Sequence, residues 1–139
     1  MIARKDPGQS HRPRLFLFYW FTVCLYCLAI FLQSAFPTPD TISTWQWPGV
    51  DKVLHAGGYA VLAILFFRAY RETVPGAGLK RVTLISTLFA TTYGISDEVH
   101  QYFVPMRTTE MLDILADFIG SSAGASAFAI TRLISKKSG

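Results

Sequence analysis

The run LFLFYWFTVCLYCLAIFLQSAF, from Leu15 to Phe36, passes 22 residues without a single charge. About 20 apolar residues in a helix cross the roughly 30 Å of hydrocarbon in a bilayer, so this stretch reads as a membrane span. A cleaved signal peptide is the competing reading, because Arg4, Lys5, Arg12 and Arg14 precede the run. Signal cores are only about 7–15 residues long, and Leu32 and Gln33 stand where cleavage would need a small residue. The expectation is an uncleaved anchor.

Three further runs lie outward from it. Pro37-Thr38-Pro39-Asp40 ends the first helix, since proline lacks the amide donor and disfavours a helical residue before it. Trp45 and Trp47 then suit a membrane–water interface. A second span runs from about Val53 to Phe67, with Arg68 and Arg71 at its exit and Pro75-Gly76-Ala77-Gly78 as a loop. Lys80-Arg81 opens a third, Val82 to Phe103, and Pro105 to Thr109 turns the chain. A fourth extends from about Met111 to Ile134, before Lys136-Lys137. The predicted fold class is all-α, a multi-pass membrane protein built as a four-transmembrane-helix bundle. Residues 1–14 are expected to form an N-terminal tail, 15–135 the membrane domain and 136–139 a C-terminal tail.

Composition excludes the main alternatives. Of 139 residues 51% are apolar and 16% charged, with mean hydropathy +0.33. A soluble domain carries about 25% charged residues, and a disordered chain needs low hydrophobicity with high charge. The net charge of +4 does not point to nucleic acid, because the thirteen basic residues flank the apolar runs. With a cytoplasmic N-terminus, eleven of them fall on cytoplasmic segments and only Lys52 and Arg107 outside, which satisfies the positive-inside rule. Both termini are therefore expected in the cytoplasm. Cys24-x-x-Cys27 lies mid-span, without the soluble βαβ context of a redox pair, and reads as packing.

Acidic residues show the opposite bias. Seven of nine fall at or near the outer face: Asp40, Asp51, Asp97, Glu98, Glu110, Asp113 and Asp117. His55, Glu98 and Asp117 lie at similar depth, each about one turn inside its span. Ionisable residues there cost about 2.5–3.5 kcal/mol each on insertion scales, so they face the interior, pair, and mark function. Asp51 and His55, Asp97 and Gln101, and Asp113 and Asp117 stand four apart, while Glu98 and Gln101 stand three apart; such pairs are neighbours on a helix. Tyr59 and Tyr93 extend these stripes inward. Asp51, Glu110 and Asp113 fit equally well as solvated helix N-termini. His100, two residues from Glu98, reads as an interfacial or structural histidine. His and carboxylates are plausible metal ligands, but no diagnostic spacing is present, so no metal or other cofactor is assigned. Ala116, Gly120 and Gly124 form a small-xxx-small row for close helix packing.

Asp51-Lys52-x-x-His55, then Tyr93-Gly94-Ile95-Ser96-Asp97-Glu98-Val99-His100-Gln101-x-Phe103-Val104-Pro105-Met106-Arg107, then Asp113-x-x-Ala116-Asp117-x-x-Gly120 form a combined pattern. It resembles the VanZ-like family of small bacterial membrane proteins, named for a member associated with teicoplanin resistance. The resemblance covers roughly Asp51 to Gly124 and implies Asp51, Lys52, His55, Glu98, Gln101, Arg107, Asp113 and Asp117 as the polar cluster, with Gly120 beside it. Met106 stands where a glycine commonly precedes the arginine, and Asp117 where asparagine is frequent.

The resemblance implies a protein of the bacterial inner membrane. Its expected partners are membrane lipids, in particular an anionic envelope lipid or lipid-linked cell-wall precursor met from the outer leaflet, and the family name links it to glycopeptide resistance. An alternative is a membrane-embedded enzyme acting on such a lipid, with His55 and Glu98 as the acid–base candidates. A small ion- or proton-coupled carrier is the weaker alternative, because the inner halves of the spans hold no ionisable residue comparable to Glu98. Arg107 is expected to bridge carboxylates of the third and fourth spans, or else to fork onto a ligand phosphate.

Overall fold

A computed structural model describes residues 13–36, 49–105 and 107–138. These hold four helices and no strand: α1 (Pro13–Ala35), α2 (Val50–Thr73), α3 (Leu79–Tyr102) and α4 (Met111–Lys137). The predicted all-α bundle is what forms. Arg4, Lys5, Arg12, the Pro37–Asp40 turn, Trp45, Trp47 and Met106 lie outside the described residues.

Local chemistry sets the helix ends. Proline suits the first helical turn, whose amides have no partner anyway, and α1 begins at Pro13. Gly49, at φ 88°, takes the left-handed conformation that a side chain would resist, and launches α2. The Val74 amide donates back to the Tyr70 carbonyl at 2.9 Å, ending α2 just before Pro75. At 24 residues, α2 and α3 each extend about 36 Å.

Helices α1, α2 and α4 are long and apolar enough to cross a membrane. Helix α3 is as long as α2 yet more polar, carrying Ser86, Thr87, Asp97, Glu98 and Gln101 among its buried residues. Its position supplies the reason: α3 packs on α1, α2 and α4 alike, so protein surrounds its polar side chains. Among the described residues α1 touches α2 and α3 but not α4. Its outer surface presents Leu17, Phe18, Phe21 and Leu25, as lipid contact requires.

The closest approach joins α2 to α4. A Cβ at Gly120 would collide with the Ala56 carbonyl oxygen and stand 2.6 Å from the Ala56 Cα, and one at Gly124 would stand 2.5 Å from the Ala60 carbonyl oxygen. The small-residue row thus sets the register between these parallel helices, placing His55 beside Asp117 one turn away. One end of the bundle is sealed by aromatic packing, with Phe66 on Phe89 at 4.0 Å and Phe67 edge-on to Phe128 at 5.3 Å. The other end, where α1 and α3 finish and α2 and α4 start, is polar.

Candidate functional site

The structure places all eight predicted cluster residues at this polar end and divides them into three groups. At the centre, His55 Nδ1 lies 3.0 Å from Asp117 Oδ1, and Asp117 is 0% exposed. Gly94 makes room for it: a side chain there would collide with the Asp117 carboxylate. The Ser121 hydroxyl donates to the Asp117 carbonyl and stands 3.3 Å from the Thr91 hydroxyl, tying α4 to α3. Glu98 (5% exposed) accepts the Glu110 amide on Oε2 at 3.2 Å, at the start of α4. The positive end of the α4 dipole favours a carboxylate there. One ring nitrogen of His55 and one carboxylate oxygen each from Glu98 and Asp113 fall within 4.8 Å of one another.

The second group surrounds Lys52. Its ammonium contacts Glu110 at 2.5 Å, Asp51 at 2.6 Å and Asp113 at 3.0 Å. Asp51 thus turns to its neighbour and to solvent rather than joining His55. Asp113, 6% exposed, belongs to both groups.

The third group binds α1 to α3. Gln101 turns away from Glu98 and donates to Asp97 Oδ2 at 2.9 Å, while Ser34 donates to Asp97 Oδ1 at 2.5 Å. Arg107 corrects an expectation. Its Nη2 donates to the Gln33 carbonyl at 2.6 Å and its Nε to the Phe36 carbonyl at 3.1 Å. It caps the C-terminal end of α1, whose last carbonyls have no partners within the helix, and bridges no carboxylates among the described residues. Asp97 and Ser34 are absent from the predicted cluster. The four-residue spacing to Gln101 signalled Asp97, whereas a serine in an apolar span gives no sign of which helix it faces.

Two cavities flank the central group. One, about 300 Å³, lies between α3 and α4 with Ile95, Val99, Met111 and Ile114 on its walls and Glu98 and Glu110 at its polar side. The other, about 180 Å³, lies between α1, α2 and α3, lined by Ser34, His55, Tyr59, Asp97 and Gln101, with Arg107 at its edge. His55 stacks along Tyr59 at 6.3 Å, as their spacing predicted. His100 packs on Phe31 at 4.5 Å. Cys24 and Cys27 are free thiols.

Such a molecule is a helical membrane protein with its buried ionisable side chains gathered at one end. The chain belongs to the VanZ/LLP1 family, whose model matches residues 5–132. No curated protein and no solved structure matches it.

Proposed function

We propose that this VanZ/LLP1 membrane protein engages an anionic envelope lipid, or a lipid-linked cell-wall precursor, at the polar end of its bundle. The observation that carries the reading is the 300 Å³ cavity between α3 and α4. It is amphipathic, with aliphatic walls that end at Glu98 and Glu110. Val99 (56% exposed) and Met111 (81%) at its rim leave it open on the bundle surface. An acyl chain fits the walls, and an anionic headgroup can meet the central group once protonation or a bound cation neutralises its carboxylates. The eleven-to-two split of basic residues supports an orientation with both termini cytoplasmic in a bacterial inner membrane, and the polar end outward. A link to glycopeptide resistance rests on the family name alone.

The enzymatic reading keeps one specific support: His55, paired with Asp117, stands close to Glu98, an arrangement suited to moving a proton on a bound lipid. A carrier has less. The buried carboxylates of the described residues, Asp97, Glu98, Asp113 and Asp117, all lie at the polar end and form no relay across the bundle.

Lipid-resolved mass spectrometry of the purified protein tests the proposal, with Ile114→Trp filling the cavity. A specific anionic lipid retained by wild type and lost from the variant is the expected result, and its turnover would favour the enzyme. Identical lipid profiles in both proteins would overturn the reading. Orientation is tested separately in a cysteine-free background: Thr108→Cys should label from outside the cell and Gly76→Cys only after permeabilisation.

A further inference from the structure

The central group lacks something that its neighbour has. Asp51, Glu110 and Asp113 surround the Lys52 ammonium, all within 3.0 Å, so a cation is built in. Glu98 has no such residue, and Asp117 has only the His55 imidazole, 3.0 Å from one of its two oxygens. Glu98 Oε1 and Asp117 Oδ2 are both buried and without a hydrogen-bond partner. A buried carboxylate oxygen left without donor or cation carries its full desolvation cost.

The donors are arranged to supply that cation from outside the chain. His55, Glu98 and Asp113 come from three different helices, and their ligating atoms already stand within 4.8 Å of one another. Donors around one tetrahedral metal at about 2.1 Å stand about 3.4 Å apart, so these atoms would draw together on binding an ion. Asp117 completes the pattern. With Nδ1–H of His55 donating to its carboxylate at 3.0 Å, the lone pair is left on Nε2. A histidine oriented by a carboxylate in this way is the usual form of a metal-ligating imidazole.

We propose that His55, Glu98 and Asp113 hold one divalent transition-metal ion, with Asp117 as the residue that orients His55. One imidazole nitrogen and two carboxylate oxygens suit zinc, manganese or ferrous iron better than calcium or magnesium. Three protein ligands leave a coordination position open, beside the cavity whose polar wall Glu98 forms. The metal site stands independently of the lipid reading: a protein that binds metal and no lipid keeps this inference and loses that one.

The test uses the purified full chain in detergent, freed of affinity tags, stripped with a chelator and titrated with Zn²⁺ or Mn²⁺ against a competing chromogenic chelator. The expected result is one saturable site per chain, with a rise in Tm on loading. Glu98→Gln should abolish the site and Glu110→Gln, in the Lys52 group, should retain it. Asp117→Asn should weaken binding about 10–100-fold without changing the stoichiometry. X-ray absorption of zinc-loaded wild type, which requires no variant to fold, should show only nitrogen and oxygen neighbours, including one imidazole. No saturable site for either metal, equal binding by wild type and Glu98→Gln, loss in Glu110→Gln alone, or a spectrum without imidazole would each overturn the proposal.

Discussion

Around Lys52, three carboxylates gather at the surface of the polar end, and a single ammonium answers all of them. About a turn deeper, Glu98 and Asp117 join the shared Asp113 around His55 among packed helices; Lys52 reaches Asp113 alone, and Glu98 and Asp117 are answered by one backbone amide and an imidazole. The two groups share Asp113 and differ in what burial demands. Water already solvates Asp51 and Glu110, so the shallow group costs little and holds helix ends together. The deep group places several carboxylates where ionisation is expensive, an arrangement that stability alone does not require. That difference separates the structural part of the polar end from its candidate site.

The largest effect comes from removing the scaffold that both groups share. Leucine at position 120 would drive its side chain into the Ala56 backbone. Overpacking a tight contact usually costs about 1–3 kcal/mol, and against backbone the upper end applies. Gly120→Leu should separate α2 from α4, dispersing both Lys52–Asp113 and His55–Asp117, with loss of a monodisperse peak in detergent chromatography. A stable, monodisperse variant would show that the groups assemble without this helix contact.

A smaller effect should differ in sign between the groups. Lys52→Met leaves three carboxylates facing one another and should lower Tm by several degrees, less so at high salt, because exposed charges are screened. Glu98→Gln keeps an acceptor for the Glu110 amide while removing a buried charge. In metal-free protein its Tm should stay level or rise. Thermal denaturation of both variants at two salt concentrations checks this. A fall for Glu98→Gln as large as that for Lys52→Met would mean the deep group is a structural ion cluster like the shallow one.

The sequence made the spans and the deep residues legible for one reason: both violate what the bilayer otherwise demands. An uncharged run such as Leu15 to Phe36 has few other uses, and His55, Glu98 and Asp117 at matched depth are too costly to face lipid. The partition of the cluster was not legible. It depends on the contact of Gly120 with Ala56, and a small-residue row announces close packing without naming its partner. Arg107 was misassigned for a related reason. Nearby carboxylates are visible in a sequence as candidate partners, whereas the unpaired carbonyls at the end of α1 carry no side-chain signature at all.

Arg107 therefore supplies the smallest and most discriminating effect. Its guanidinium reaches the Gln33 and Phe36 carbonyls together, a use of a planar fork that a lysine ammonium cannot reproduce. Each hydrogen bond of this kind contributes about 0.5–1.5 kcal/mol, and the exposed position argues for the lower end. Arg107→Lys should lower Tm by less than Lys52→Met does. Its effect should also be local. Hydrogen exchange should accelerate at the C-terminal turn of α1, near Ser34 and its bond to Asp97, while the start of α4 keeps its protection. A change confined to α1 identifies the arginine as a helix cap. Accelerated exchange at the start of α4, with a fall in Tm matching that of Lys52→Met, would instead make Arg107 a second built-in cation for the acidic residues. The contrast between an answered and an unanswered group would then disappear.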